Sequence, residues 1–274
     1  MSKIIDIFTE YKYKLVLIYF FTLMAELSFI IQPYLLGKSI DGLIEGTWLW
    51  MILLFISYCI SNLFNYKRMV YDTKVYTQIY NDIVLRFLKN NNKPDSVKVA
   101  RTDMAHEIVG VLEEYVHYYI ATIITIVGSI GFIYITNWKV GLLVTLALIV
   151  ITLAVLLFYK KIRQAINVRN NHYENKVTAI QRGYDASVSF FNRRRKLSIF
   201  ESTLQGKNWL LVGMIKSIFL VFSIILLITT SNNVTTGSIV TIYSYVNGFL
   251  ISLMSIPVAF EMYSRLSNII KRIH

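Results

Sequence analysis

Lys139–Tyr159 reads KVGLLVTLALIVITLAVLLFY, 21 residues whose only charge is the first. At 1.5 Å per residue, a helix of that length matches the ~30 Å hydrocarbon core of a bilayer. Lys160, Lys161 and Arg163 follow at once. This is a membrane-spanning helix with a basic end. Outward from it, five more apolar stretches of 19 residues or longer read the same way: Leu15–Leu36, Trp48–Tyr66, His117–Thr136, Trp209–Thr230 and Ile239–Ser264.

The cations fix the orientation. Of 28 Lys and Arg, 25 fall on the side of the two termini, Lys38 and Lys139 lie on the other, and Lys216 sits inside the fifth span. Lys and Arg stay on the cytoplasmic side, so both ends are expected in the cytoplasm. Composition agrees: 55% of residues are hydrophobic and 16% charged, too apolar for an ordinary soluble domain. The net charge of +12 is the retention signal of inner loops, reinforced by anionic lipid. It needs no nucleic acid. The lone Cys59 can form no intrachain disulfide and is expected to be a small buried hydrophobe. Gln32-Pro33-Tyr34 stands where a signal peptide would carry a small-residue cleavage site, so the first span is expected to be retained. Abundant Ile, Asn, Lys and Tyr suggest a bacterial source and hence the bacterial cytoplasmic membrane.

The links are unequal. On the outside they are short, at Gly37–Thr47, Asn137-Trp138 and Ser231–Ser238, while the inner excursions cover 67–116 and 160–208. Tyr76, Ile79, Ile83 and Phe87 recur at helical spacing, as do Ile162, Ile166, Tyr173, Val177 and Ile180. Spans two and four are therefore predicted to run unbroken into the cytoplasm. Trp48 to about Asn90 would be one helix of roughly 65 Å. Asn90-Asn91-Asn92-Lys93-Pro94 stops it, and Gly183 punctuates the second excursion before Ser187–Trp209 climbs back. The expected fold is all-α: a single six-span unit over 1–274, with two helical hairpins hanging into the cytoplasm and a short segment at each tip.

Four phrases sharpen this. IIQPYLLGKSIDGL (Ile30–Leu43) places a proline ahead of Gly-x-x-Ile-Asp, and NWKVGLLVTLAL (Asn137–Leu148) opens the fourth span from a tight turn. TTGSIVTIYSYVNGFLISLMSIPV (Thr235–Val258) starts the sixth span with Gly237 and later Pro257, and YSRLSNIIKRI (Tyr263–Ile273) leads out of it. In order and spacing, over essentially the whole chain, these resemble the six-helix transmembrane domain of exporter-type ABC transporters. The resemblance implies alternating access between inward- and outward-open states. It also implies a homodimer or heterodimer with a similar six-span subunit, to which spans four and five cross.

The resemblance has two departures. The family's nucleotide-binding domain usually follows the last helix, whereas this sequence ends at Ile273-His274. Gly37-Lys38-Ser39 mimics the end of a phosphate-binding loop, but Gln32 occupies the place of its first glycine. No ABC signature accompanies it. The expectation is a non-enzymatic subunit without its own cofactor, with ATP and Mg bound only through a partner ATPase on a separate chain. The alternative is a non-transporting membrane scaffold or binding protein that keeps the fold. The second departure is the coupling segment at Tyr184–Phe200, where the family has an acid, a glycine and an aliphatic. Here Tyr184, Asp185, Phe190 and Phe191 are the candidate docking contacts, followed by Arg193, Arg194, Arg195 and Lys196. That basic run reads as a lipid-binding or simply solvated cluster.

Charge inside the membrane is where function shows. Glu26 lies near the midplane of span one, Lys216 in span five and Glu261 near the inner end of span six. They are candidates to line a water-filled cavity for a polar substrate; the alternatives are a structural ion pair or a lysine that snorkels. Tyr243, Tyr245 and Phe249 are candidate cavity aromatics, with plain packing as the alternative. Glu113 and Glu114, at the mouth of span three, are expected to pair with cytoplasmic lysines. His106, His117, His172 and His274 are scattered without metal-ligand spacing, so no metal site is expected.

Overall fold

The computed structural model describes residues 9–89, 95–231 and 233–254. Glu261, Pro257, the exit segment Tyr263–Ile273, His274 and the Asn90–Pro94 stop lie outside the described residues, as does the side chain of Glu114. Six helices are long and apolar enough to cross a membrane. Among the described residues there is no strand.

The first span is a broken helix, α1 (Lys12–Ile30) and α2 (Gln32–Ile44). Pro33 stands in the first turn of α2, where its missing N–H costs nothing within α2 but interrupts the ladder behind it. Tyr245 uses the break: its hydroxyl donates to the Ile30 carbonyl at 2.8 Å. Helix continues to Ile44, so the first outer link is shorter than the expected Gly37–Thr47.

The long extension of span two exists. Helix α3 (Leu49–Lys89) runs 41 residues without a break, about 61 Å at 1.5 Å per residue. Helix α4 (Asp95–Thr136) returns over 42 residues. Asn137 alone separates it from α5 (Trp138–Glu174), accepting from the amides of Lys139 and Val140 at 3.0 and 3.2 Å. The same side chain donates to Thr230 and Ser231, which pins the α4–α5 corner to the outer end of span five. The second tip holds the short α6 (Lys176–Gln181), and α7 (Tyr184–Thr230) climbs back over 47 residues. Gly183 joins them at φ 103°, a left-handed conformation that side chains resist. Helix α8 is Thr236–Met254.

Two buried clusters organise the bundle. One joins Ile30, Ile133, Val144, Ile151, Val212, Leu227, Ile242 and Phe249, from α1, α4, α5, α7 and α8. The other joins Ile18 with Val75, Tyr76, Ile79, Ile83, Ala105 and Val109, from α1, α3 and α4 alone. Helices α5 and α7 pair chiefly with each other and, among the described residues, contribute nothing to the second cluster, so they form an arm apart from α1, α3 and α4 at that end.

Between apolar helices in lipid, close backbone approach and hydrogen bonds replace the hydrophobic drive. Ser57 and Ser61 of α3 donate to the Ser28 and Ala25 carbonyls of α1 at 2.8 and 3.3 Å. At the outer end, a Cβ on Gly37 would overlap Thr241 and the Gly237 carbonyl, and one on Gly237 the Gly37 carbonyl and Asp41. Asp41 then accepts from the Gly237 amide at 2.8 Å and the Thr235 hydroxyl at 2.7 Å, capping α8 from α2. Cys59, expected to be buried, is instead exposed on α3, since this face of the helix meets no neighbour within the chain.

The inner end of span one is clasped to α3 by residues one turn apart: Lys14 to Gln78 at 2.8 Å, Tyr11 to Asp82 at 2.7 Å and Glu10 to Arg86 at 2.6 Å. The bond to Asp82, with burial second, pushes the Tyr11 phenol up to about 12. A raised value means the bond stabilises fully below tyrosine's ordinary ~10 and is lost as pH rises through about 12. Tyr11→Phe is expected to cost about 1 kcal/mol, read as a lower thermal midpoint in detergent at neutral pH. An unchanged midpoint would leave the clasp to Lys14 and Arg86.

Candidate functional site

Two places gather chemistry, one at the tip of the arm and one among α1, α3 and α4. At the tip, helix α7 begins at Tyr184, so the expected coupling segment is the first turns of that long helix. The separate short helix is α6, on the other side of Gly183. Asp185 sits in the first turn of α7, where a carboxylate complements the helix dipole. Tyr184 is 83% exposed, and Val177, Ile180 and Phe191 also face outward. Phe190 does not. It is 6% exposed, stacks on His172 of α5 at 4.4 Å and meets Phe191 edge-on at 5.3 Å. His172 Nε2 donates to the Phe190 carbonyl at 3.0 Å, since a carbonyl can only accept. Phe190 therefore packs the start of α7 against α5, while Tyr184, Asp185 and Phe191 stay exposed.

Arg193, Arg194, Arg195 and Lys196 are all exposed, with Arg194 over the Tyr173 ring at 4.9 Å. Behind the tip, both Glu201 carboxylate oxygens lie 2.9 Å from Arg169 Nη1. Glu201 is 5% exposed, so this ion pair is a buried rivet between α5 and α7. Nothing in the local sequence signals it, because the partners are 32 residues apart.

Inside the bundle the register of α1 on α3 decides what is polar at depth. Ile18 packs with Val75 and Tyr76, so Asp72 lies near the inner end of the first span although it follows Tyr66, the apparent end of the second. Asp72 is 4% exposed. Its Oδ2 is 3.4 Å from Arg68 Nη1, and its Oδ1 has no hydrogen-bond partner among the described residues. Glu113 of α4 and Arg68 both act electrostatically on Asp72, and Arg68 also acts on Glu26. The Tyr76 hydroxyl is linked to that of Tyr19. The backbone carbonyl of Glu113 accepts from His117 at 2.9 Å.

The other expected site residues separate. Glu26 and Lys216 share a depth: Glu26 is one turn inward of Ile30, which meets Tyr245, and Lys216 is as far from Thr230 as Leu250 is from Thr236. Yet α7 packs on α5, α6 and α8, and α1 on α2, α3 and α4. Lys216 is half-buried, with no acidic partner among the described residues. Tyr245 and Phe249 are fully enclosed, with Tyr245 stacked on Phe132 at 4.9 Å, whereas Tyr243 is 45% exposed. Sequence reading missed Arg68 and Asp72 because the apolar run closes at Tyr66. Their four-residue spacing on a continuing helix was the available signal.

Six membrane helices, an arm of two and a polar cluster at depth define a multi-pass membrane protein of transporter architecture. Residues 4–237 match the family described as ABC transporter transmembrane region, and the chain belongs to that family. No curated protein matches the chain.

Proposed function

We propose that this chain is the membrane subunit of an ABC exporter-like complex in a bacterial cytoplasmic membrane, with both termini inside. A similar six-span subunit, identical or not, completes the pathway, and the pathway opens alternately to the two sides. ATP and Mg bind an ATPase partner on a separate chain, which this subunit meets through its exposed tip. The observation that carries this reading is the independence of the arm. Among the described residues its inner half shares no buried cluster with α1, α3 and α4, so the two can part toward the cytoplasm while the cluster that joins α4, α5, α7 and α8 stays packed. The exposed Tyr184, Asp185 and Phe191 are the docking surface for the ATPase, and the Arg193–Lys196 run meets anionic lipid.

The test is affinity capture of tagged protein in mild detergent, with ATPase activity measured on the eluate. A stoichiometric ATPase is expected to co-elute. Substituting Tyr184, Asp185 and Phe191 with alanine, while keeping Phe190, should lower its recovery by about tenfold. Equal recovery would remove the docking assignment. Capture of only non-ATPase partners across several detergents would favour the scaffold reading.

A further inference from the structure

Span one is shared between two neighbours, and the change from one to the other falls at its break. Pro33 removes a ladder donor there, and an unsatisfied carbonyl at membrane depth is costly. Four hydroxyls from other helices donate to the backbone around it. Ser61 and Ser57 of α3 reach the Ala25 and Ser28 carbonyls at 3.3 and 2.8 Å. Tyr245 and Thr241 of α8 reach those of Ile30 and Pro33 at 2.8 and 3.3 Å. The donors thus pass from α3 to α8 between Ser28 and Ile30.

The rest of each half follows the same division. Helix α1 bonds α3 through Lys14 and Gln78 and places Ile18 in the cluster with α3 and α4. Helix α2 is tied to α8, where Asp41 accepts from the Gly237 amide and Gly37 lies against Gly237. It meets α3 as well, with Gly42 beside Thr47 and Trp50 next to the connecting loop. A spare donor stands at the break: Gln32 is 4% exposed, and its Nε2 has no partner among the described residues. A buried amide left over is costly in one fixed kink. It has a use if the break takes a second angle and frees another carbonyl.

We propose that the Ile31–Pro33 break is a hinge on which α1, moving with α3, changes its angle to α2 and α8, and that the Tyr245 hydroxyl latches it in the arrangement described. Hinges are short segments that absorb the backbone change between units that stay packed. Using this one to part the arm from α1 and α3 rests on the transport reading; the hinge itself does not.

The test reads the span from end to end. In a Cys59→Ser background, Tyr13→Cys and Ile44→Cys carry spin labels at two exposed positions, one on α1 and one on α2. Their separation is measured by pulsed electron resonance in lipid nanodiscs, with labelled chains diluted in unlabelled ones and no ATPase present. Two separations are expected. Tyr245→Phe, which keeps the ring that stacks on Phe132, should raise the share of the minor one several-fold by removing one hydrogen bond. Pro33→Ala, which restores the ladder donor, should leave a single separation. Each variant is compared with its helix content retained. One narrow separation in the parent overturns the proposal, as does a Pro33→Ala distribution as broad as the parent's. An unchanged balance in Tyr245→Phe overturns the latch. Capture of an ATPase in the separate pull-down would leave the transport reading standing in each of these cases.

Discussion

Arg169→Ala is expected to lower the stability of the α5–α7 arm by about 3 kcal/mol, the low end of the range for removing one partner of a buried pair. In a chain of this size that is a fall of roughly 6–12 °C in thermal midpoint. The reason is asymmetric burial. Arg169 can reach solvent, but Glu201 is 5% exposed, and its neighbour Gln205 approaches only to 3.4 Å. Losing the guanidinium leaves a carboxylate in the seam. The double variant Arg169→Gln, Glu201→Gln should recover much of the loss, because no charge is then held in the seam. A single variant that melts with the wild type would show that apolar packing alone holds the arm.

Gly237→Ala is the second large effect, and its control lies in the same helix. The added methyl would meet the Gly37 carbonyl and the Asp41 carboxylate. Backbone cannot step aside as a flexible side chain can, so overpacking of about 2–3 kcal/mol is expected. Disturbing the Asp41 cap costs about 1 kcal/mol more. Gly248 of α8 has nothing within 4 Å of such a methyl. Gly248→Ala should therefore be neutral or stabilise by up to about 1 kcal/mol through helix propensity. Equal midpoints for the two variants would refute the close α2–α8 contact.

The Gly37/Gly237 contact explains part of the family resemblance physically. Gly37 lets α2 and α8 touch, and Asp41, one turn on, caps the helix that Gly237 opens. Those residues were legible as a phrase but not as a contact, because they are about 200 positions apart. At the start of α7, Tyr184 and Asp185 face outward, while Phe190 is turned inward, stacked on His172, which donates to its carbonyl; that partner is 18 residues away and no local pattern marks it. The polar site was the least legible, since Asp72 looks cytoplasmic until Ile18 of a neighbouring helix sets its depth.

The sequence by itself determined the number of spans and the continuation of span two as one long helix. These follow from local hydropathy and helical period. It could not say which face of each span meets protein. Helix α5 shows why: Val140, Val144, Ala147 and Ile151 are buried, while Leu142, Leu146, Ile149 and Leu153 are exposed. All eight are apolar. In water such faces differ in polarity, but beside lipid they differ only in what they touch. The contacts that join distant segments, Asp41 to Gly237, Arg169 to Glu201 and Asp72 among α1, α3 and α4, were therefore decided by tertiary structure alone.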